Sequence, residues 1–359
     1  MRILFIHTIG KKKYGGGERW VVRAAEGLKQ AGHLVTVGGW KGSLLLKEAE
    51  RCGLQTACFN IFSDISPWQA LRIAWFIRKN NIDAVITKRR DLAVAGMGAK
   101  IAGCKNVLVR SGSPPQRSIA KHIFLMKNLS LGIITNTRSI QEFYHQRGLD
   151  KPGFVRVIYN GLQLHDDIPS YNFADRFPGR RIILSVGRVV HAKGYFYLLD
   201  ALALLKEQLK EIMVFVIGDG KDLSKLQKRA LELGVSDMIW FEGYQPNPVP
   251  YIKGCELFLH PSLYEGMPNA PMEALAYGKP VIMTRVNGAD ELTGNGEYAQ
   301  LIREADPSAI ASAVMEFFSN PLPLKEKGLA AKEYVRKRFT KEVMIKEIEA
   351  FLMDTENIR

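Results

Sequence analysis

The sequence has few cysteines, and their arrangement lacks the spacings that give cysteine a structural role. Cys52, Cys58, Cys104 and Cys255 are the four cysteines in 359 residues, and no two form a CxxC pair. This excludes a scaffold stapled by disulfides and argues against a zinc site. It is typical of a cytoplasmic protein with reduced thiols, which is the location that we predict.

Long apolar runs are also lacking. Runs such as Met213–Ile217 fall far short of the roughly 18 residues that a membrane-spanning helix needs. The first six residues contain one basic residue and a short apolar run, without a small-residue cleavage site. They predict a first β-strand rather than a signal peptide.

Acidic residues are scarce in the first half of the chain. Residues 1–163 contain 26 basic and 9 acidic residues, a net charge of +17, whereas residues 164–359 contain 24 and 27, a net charge of −3. Such asymmetry indicates an anionic partner, which could be a membrane surface, a nucleic acid or an acidic substrate. A solvated basic surface without a partner is the alternative.

The overall composition is ordinary, with 47% hydrophobic and 24% charged residues, which excludes a disordered or collagen-like chain. The length predicts about two domains. Short β-branched runs alternate with amphipathic segments of helical length, which predicts parallel sheets covered by helices on both faces. The predicted strands and helices of the first half are Ile3–His7, Glu18–Ala31, Leu34–Val37, Trp68–Lys79, Ala84–Thr87, Ala93–Ala102, Asn106–Val109 and Gly132–Thr135. Those of the second half are Ile182–Val186, Tyr195–Gln208, Met213–Ile217, Leu223–Leu233, Ile239–Phe241, Leu257–Leu259 and Val281–Met283.

A polar segment with two prolines interrupts this alternation and predicts a linker at residues 164–179. We therefore predict an α/β protein with two doubly wound, Rossmann-like domains, at residues 1–163 and 180–339. Their ligand would lie in a cleft between them, at the carboxyl ends of the strands. A final helix capped by Thr340 could pack back onto the first domain with residues 340–359.

Three motifs at the ends of predicted strands contain residues that could bind a ligand. The first is Gly15-Gly16-Gly17-Glu18-Arg19, between the first strand and the first helix. Glycines allow the backbone N–H groups to approach an anion at the positive end of a helix. A flexible structural turn explains the same residues equally well.

The second motif contains Arg188 and Lys193, which follow the first strand of the second domain. A guanidinium and an ammonium at one strand end suit a diphosphate, although two surface cations beside a turn would look the same in sequence.

The third motif runs from Pro261 to Ala276 and contains two glutamates, Glu265 and Glu273. Pro271 fits the first turn of a helix, with Asn269 or Ala270 as its cap. Glu265 would then lie in the loop before this helix and Glu273 in its first turn, where both could accept hydrogen bonds from sugar hydroxyls. The alternatives are a solvated acid for Glu265 and stabilisation of the helix dipole for Glu273.

The ordered set of motifs resembles a known family. The set is Gly15–Arg19, Tyr159-Asn160-Gly161, Gly187-Arg188 with Lys193-Gly194, Gly218-Asp219-Gly220, Phe241-Glu242-Gly243, and Glu265 and Glu273 with Gly278-Lys279-Pro280. Together they are similar to the retaining, nucleotide-sugar-dependent glycosyltransferases of family four, which have the GT-B fold. The resemblance covers essentially the whole chain.

The resemblance implies a role for each matched residue. Arg188 and Lys193 would hold the donor diphosphate, Gly16 and Gly17 would contact it from the first domain, and Glu265 would hold a hydroxyl of the donor sugar. The remaining donor-binding residues implied are Gly243 and Tyr244 at the base, Gly266, Met267, Pro268 and Asn269 at sugar and phosphate, and Glu273 at the ribose.

One segment departs from the family pattern. In many relatives a histidine of the active site follows the fourth strand of the first domain, and here Ser111, or Arg110 with a shift of one residue, takes that place. We predict these two as acceptor-side residues. No Asp-x-Asp motif is present, so we expect neither a metal ion nor any other cofactor.

The resulting hypothesis is an enzyme that transfers a hexosyl or N-acetylhexosaminyl group, from a UDP-sugar by preference, to an acceptor hydroxyl with retention of the anomeric configuration. The resemblance and the basic first half indicate an anionic lipid-linked or saccharide acceptor in bacterial lipopolysaccharide or surface polysaccharide assembly. The protein would associate peripherally with the inner face of the plasma membrane. A non-hydrolysing UDP-N-acetylglucosamine 2-epimerase and a non-enzymatic nucleic-acid-binding protein remain as alternatives. The motifs at strand ends argue against nucleic acid as a partner.

Overall fold

The computed structural model describes residues 1–8, 15–115 and 117–357, which separate into two compact units. The first unit is Met1–Gly161 with Phe339–Arg359, and the second is Leu162–Arg338. The segment predicted as a linker belongs to the second unit. There the N–H of Tyr171 donates to the carbonyl of Pro250 at 2.9 Å, and Phe173 packs edge-on against Phe215.

The first unit contains a seven-stranded parallel sheet in the order β3-β2-β1-β4-β5-β6-β7. Its strands are β1 (Arg2–Ile6), β2 (Leu34–Gly39), β3 (Gln55–Cys58), β4 (Ala84–Lys88), β5 (Asn106–Ser111), β6 (Gly132–Thr135) and β7 (Val155–Val157). Its helices are α1 (Gly16–Gln30), α2 (Leu44–Arg51), α3 (Pro67–Lys79), α4 (Leu92–Ala102), α5 (Ile119–Leu129) and α6 (Arg138–His145), and the C-terminal α14 (Lys341–Asn357) completes it. Ile3 to Ile6 of β1 are at most 1% exposed because helices cover both faces of the sheet.

Helix α14 packs against α1 and β5 of the first unit. Ile348, Phe351 and Leu352 on its inner face are at most 1% exposed. A hydroxyl hydrogen bond of 2.9 Å joins Thr355 to the side chain of Asn106, at the start of β5. The hydroxyl of Thr340 accepts from the N–H of Val343 at 3.3 Å and caps this helix, as the sequence predicts.

The second unit contains a six-stranded parallel sheet in the order β10-β9-β8-β11-β12-β13. Its strands are β8 (Arg181–Val186), β9 (Ile212–Ile217), β10 (Ile239–Gly243), β11 (Leu257–His260), β12 (Val281–Thr284) and β13 (Gln300–Ile302). Its helices are α7 (Tyr195–Leu205), α8 (Leu223–Leu233), α9 (Val249–Gly254), α10 (Asn269–Ala276), α11 (Ala289–Thr293), α12 (Pro307–Ser319) and α13 (Leu322–Arg338). All six residues of β9 are buried, which explains its uninterrupted apolar sequence.

The strand order reverses at one point in each sheet. In the first unit the chain moves outward from β1 through β2 and β3 and then returns to place β4 on the other side of β1. In the second unit the same reversal places β11 beside β8. Such switch points leave a crevice at the carboxyl ends of the strands, where ligands of doubly wound proteins bind. The predicted fold class of two doubly wound α/β domains is confirmed. Among the described residues, no helix is both long and apolar enough to cross a membrane.

Candidate functional site

The loop after β8, which carries Arg188, is fixed to the segment after β9. The N–H of Val189 donates to the carbonyl of Asp219 at 2.9 Å, and the N–H of Asp222 donates to the carbonyl of Val189 at 3.1 Å. The buried carboxylate of Asp222 accepts from the N–H of His191 at 2.7 Å. These bonds hold the backbone of the loop while the side chain of Arg188 is exposed at the carboxyl edge of the sheet.

Two glycines allow the loops of this edge to approach one another. A Cβ at Gly218, where φ is +146°, would lie 1.8 Å from the carbonyl oxygen of Gly187. A Cβ at Gly194, where φ is +71°, would lie 1.8 Å from the carbonyl oxygen of Pro261. Both positions therefore require glycine, for space as well as for backbone conformation.

Glu265 lies at the switch point of the second unit, in the loop after β11. Its Oε1 forms an ion pair with Lys193 and accepts hydrogen bonds from Ser262 Oγ at 3.1 Å and from His260 Nε2 at 3.0 Å. Lys193 ends the short 3₁₀ helix His191–Lys193 after β8. The two predicted residues Lys193 and Glu265 are thus in direct contact, across the point where the strand order reverses.

The three contacts determine the charge of Glu265. Burial opposes its ionisation, but the hydrogen bond from His260 and the charge of Lys193 outweigh burial and lower the pKa of Glu265 from 4.5 to about 2. Burial lowers the pKa of His260, so its imidazole is neutral near pH 7 and its Nε2–H donates to the carboxylate. A carboxylate fixed in this way is an oriented acceptor for a hydroxyl group.

Helix α10 follows this loop and begins one residue earlier than expected. The sequence predicts Asn269 or Ala270 as the cap, but the helix starts at Asn269, directly after an extended Pro268. Pro268 therefore takes the cap position without a side-chain hydrogen bond, and both Pro268 and Met267 are buried. Gly266 and Glu273 are half-buried. Gly266 precedes α10, and Glu273 is the fifth residue of this helix, so the prediction that it lies in the first turn is wrong because the helix begins at Asn269.

Gly243 and Tyr244 lie at the end of β10, two strands from β8. The carbonyl of Gly243 accepts from the N–H of Gly218 at 2.8 Å, which connects this strand end to the loop network around Arg188. The side chain of Tyr244 is 62% exposed. The predicted residues of the second unit therefore share the carboxyl edge of one sheet.

In the first unit, the carboxylate of Glu18 closes the turn before α1. It accepts from the N–H of Gly15 at 2.7 Å and from His7 Nε2 at 2.8 Å. Although burial opposes ionisation, the hydrogen bonds from His7 and from the N–H of Gly15 lower the pKa of Glu18 to about 2. Gly16 and Gly17 form the first turn of α1 at this carboxyl edge.

Arg110 and Ser111 have different surroundings. Ser111 is 2% exposed, and its hydroxyl pairs with the Tyr144 hydroxyl at 2.6 Å and donates to the carbonyl of Ser113 at 3.0 Å. The guanidinium of Arg110 lies 4.3 Å from the centre of the Trp20 ring and lines a pocket of the first unit. Of the two predicted residues, only Arg110 therefore faces a space that a ligand could enter.

Comparisons with known proteins agree with this arrangement. The family model "Glycosyltransferase Family 4" matches residues 14–166, and the model "Glycosyl transferases group 1" matches residues 169–338. The chain belongs to the group 1 glycosyltransferases.

Two curated relatives of this glycosyltransferase are named for lipopolysaccharide core biosynthesis. The glycosyltransferase LpsE of Rhizobium meliloti (strain 1021) is 30% identical over 139 residues, which are 39% of this chain and 40% of that protein. The mannosyltransferase LpcC of Rhizobium leguminosarum bv. viciae is 24% identical over 281 residues, 77% of this chain and 76% of that protein. The chain spans less than half the length of LpsE and of several similar relatives.

Solved structures share the fold of this glycosyltransferase along its whole length. Anabaena Alr3699/HepE, in complex with UDP and glucose, superposes with a TM-score of 0.85 at 19% identity, covering 99% of this chain and 100% of the other. WaaG, a glycosyltransferase involved in lipopolysaccharide biosynthesis, gives a TM-score of 0.72 at 16% identity, covering 97% and 99%. Because the sequence identities are below 20%, these superpositions establish the fold of the chain alone.

Sequence reasoning did not find His260 and Ser262, which orient Glu265. The available signal was a histidine at the end of an apolar strand, five residues before the glutamate. It also did not find His7 and Lys88, which end or follow central strands of the first unit. A histidine and a lysine at such positions look like packing and surface residues until the neighbouring strands are known.

Proposed function

We propose that this glycosyltransferase moves a hexosyl or N-acetylhexosaminyl group from a nucleoside diphosphate sugar, UDP-sugar by preference, to an acceptor hydroxyl with retention of the anomeric configuration. The observation that carries the proposal is the contact between Lys193 and Glu265 at the switch point of the second unit. It combines a cation suited to a phosphate with an oriented acceptor suited to a sugar hydroxyl. UDP bound to a structural neighbour of the same fold supports the choice of donor.

Negative charge develops on the departing nucleoside diphosphate as the anomeric bond breaks. Fixed cations aimed at that charge stabilise the transition state without reorganisation. We assign this role to Arg188 and Lys193, with the N–H groups at the start of α10 as further donors. Glu265 would hold a donor hydroxyl, Glu273 the ribose hydroxyls, and Gly16 and Gly17 would contact the diphosphate. Gly243 and Tyr244 would flank the base.

A test of the donor site compares two arginine substitutions. Arg188→Ala removes the exposed cation after β8, whereas Arg303→Ala removes an arginine that is 83% exposed beside β13. Losing a charge contact to the diphosphate should cost about 2–5 kcal/mol, or roughly 30-fold to several thousand-fold in the rate of UDP release from a UDP-sugar. Near wild-type rates in Arg188→Ala would contradict the assignment.

The donor base and the stereochemistry have separate tests. A thermal-shift screen with UDP, GDP and ADP should raise the melting temperature with UDP most. The anomeric proton coupling of the product in NMR should match that of the donor sugar. If GDP or ADP stabilises the protein more than UDP, or if the product is inverted, that part of the proposal fails.

Metal independence is also part of the proposal, since Arg188 and Lys193 supply positive charge at the leaving group. Transfer should continue at an unchanged rate in an excess of EDTA. Loss of activity on chelation, with recovery on adding Mg²⁺ or Mn²⁺, would contradict it.

We further propose an anionic, lipid-linked or saccharide acceptor and peripheral attachment to the inner face of the plasma membrane. Support comes from the outer face of α3, where Trp68, Leu71 and Trp75 are 80%, 50% and 59% exposed. These positions share one side of the helix. The packed helices α3, α4 and α5 contain six lysines and arginines and no acidic residue. Exposed tryptophans among cations suit the surface of an anionic bilayer.

Sedimentation with lipid vesicles tests this attachment. The protein should bind vesicles containing phosphatidylglycerol and not vesicles of phosphatidylcholine alone. The double variant Trp68→Gln, Trp75→Gln should lose most of this binding, whereas Leu231→Gln, which changes a 71% exposed residue of the second unit, should not. Equal binding of both variants would exclude α3 as the attachment face.

A further inference from the structure

A pocket lies at the switch point of the first unit, between the carboxyl ends of β1 and β4. Its cavity volume is about 10 Å³, room for a group about the size of one water molecule, and it opens to solvent. Gly17 and Trp20 of α1, Lys88 at the end of β4 and Arg110 of β5 contribute to its wall. The position is the one that a doubly wound sheet offers to a ligand. Of its wall, the roles proposed above use Gly17, at the diphosphate, and leave Lys88 and Trp20 without a role.

Two cations of this wall stand side by side. Lys88 and Arg110 are register partners on the adjacent parallel strands β4 and β5, so their side chains leave the same face of the sheet. Lys88 Nζ lies 3.0 Å from the point that a Cβ on Gly17 would occupy. The glycine at the start of α1 therefore leaves room for the ammonium group.

The nearby acidic groups are engaged elsewhere. Glu18 is occupied by His7 and the N–H of Gly15, and Asp91 accepts from both the N–H and the hydroxyl of Thr8, at 2.8 and 2.5 Å. Among the residues that the structure describes, none forms a hydrogen bond or ion pair with Lys88 Nζ. Burial lowers the pKa of Lys88 to about 8; the charge of Arg110 adds to this shift, and the charges of Glu18 and Asp91 act against it.

Two other side chains of the pocket wall have N–H groups available to donate hydrogen bonds. Arg110 gives one N–H to Asn160 Oδ1 at 2.9 Å, and a guanidinium has five. Trp20 is 4% exposed, and its indole N–H has no partner among the described residues. A buried N–H without an acceptor costs free energy that a bound acceptor would restore. Burial lowers the pKa of His7, whose Nε2–H donates to Glu18, so His7 adds no third cation near pH 7.

We propose that Lys88 and Arg110 bind an oxyanion carried by a substrate sugar, either a carboxylate or a phosphate ester. A guanidinium beside an ammonium matches the paired oxygens of such a group, and an anion there would give Lys88 Nζ a hydrogen-bond partner that none of the described residues supplies. The inference rests on the proposed glycosyl transfer and specifies its substrate class. The oxyanion could belong to the donor sugar or to the acceptor sugar.

Calorimetric titration at pH 7 with defined probes tests the pocket and separates the two sources. The donor comparison uses UDP-glucuronate against UDP-glucose, and the acceptor comparison uses glucuronate and glucose 6-phosphate against glucose. In one of the two comparisons, the anionic sugar should bind about 10- to 100-fold more tightly than the neutral one, the range for a hydrogen-bonded charge pair. Lys88→Gln should abolish this preference, while Lys88→Arg and the exposed control Lys47→Gln should keep it.

Binding of UDP itself distinguishes the two proposals. If UDP binds and neither comparison shows a preference for the anionic sugar, the oxyanion pocket is refuted while the proposed function stands. If the preference is present but UDP does not bind, the proposed function is refuted. A preference that survives in Lys88→Gln also overturns the assignment.

A second measurement needs no ligand. Because Lys88 is a half-buried cation without a partner, Lys88→Met should raise the melting temperature of the free protein by a few degrees, whereas Lys47→Met should leave it unchanged. Phosphate esters that bind the pocket should then stabilise the wild type and not Lys88→Met. A lower melting temperature in Lys88→Met would mean that the ammonium is already compensated, which contradicts the proposal.

Discussion

Replacing Glu265 by glutamine should destabilise the second unit in a way that depends on pH. The change keeps the shape of the side chain and the oxygen that His260 and Ser262 contact, but it removes the charge opposite Lys193. The pKa of Glu265 falls from 4.5 to about 2 on folding, and each pKa unit corresponds to about 1.4 kcal/mol. The ionised carboxylate therefore contributes about 3 kcal/mol to the free energy of unfolding at pH 7.

The sign of the pH dependence follows from the lowered pKa. The contribution is complete above pH 4.5 and is lost as the pH falls towards 2, so that only about 1 kcal/mol remains at pH 3. The measurement is urea unfolding, monitored by hydrogen exchange in peptides from β11 and α10. The free energy of unfolding of Glu265→Gln should be about 3 kcal/mol below that of the wild type at pH 7, and the difference should be smaller at pH 3. Glu232→Gln, at a 51% exposed position of the same unit, is the control. A loss that is equal at both pH values would refute the reasoning.

Three further predictions concern other parts of the molecule. The preference for an anionic sugar should weaken above about pH 8, where Lys88 loses its proton. In Lys88→Arg the preference should stay constant up to pH 10. Calorimetric titration of both proteins below pH 8 and at pH 10 checks this. Gly218→Ala should cost about 2–4 kcal/mol in thermal unfolding because its Cβ would meet the carbonyl of Gly187. Gly179→Ala, with φ of +75° and open space around it, should cost only about 1 kcal/mol. Ile348→Ala in α14 should cost about 2–5 kcal/mol in urea unfolding and Met353→Ala, at a 50% exposed position, little; equal losses would argue against burial as the cause.

The sequence predicted the long elements of the fold better than the short ones. Each predicted strand and helix falls on an observed one, because buried parallel strands are apolar throughout and their covering helices have clear periodicity. β3, β7 and β13 were not predicted, since Gln55–Cys58, Val155–Val157 and Gln300–Ile302 are short and mix polar with apolar residues. Six helices were not predicted either: α2, α5, α6, α9, α11 and α12. Helix α5 follows Ser118, whose φ of +52° is not evident from any sequence pattern.

Residues of the candidate site could be predicted only where a reactive side chain lies in a loop that the sequence itself marks. Lys193 and Glu265 could be identified because glycines and prolines mark their loops, and the structure places them in contact. Their contact itself depends on β8 and β11 being neighbours, which the order along the chain does not reveal. The same holds for Lys88 and Arg110, which are 22 positions apart and meet only because β4 and β5 pair in register.

The chain enters the second unit after Gly161 and leaves it at Arg338, so the first unit is built from segments on both sides of the second. During synthesis on the ribosome, the surface of α1 and β5 that α14 covers stays uncovered until α14 emerges. The second unit is complete before that moment, whereas the first can close its core only after α14 has been made. Nascent chains that stall before α14 would therefore expose an unfinished hydrophobic face, the kind of surface that chaperones recognise and proteases attack.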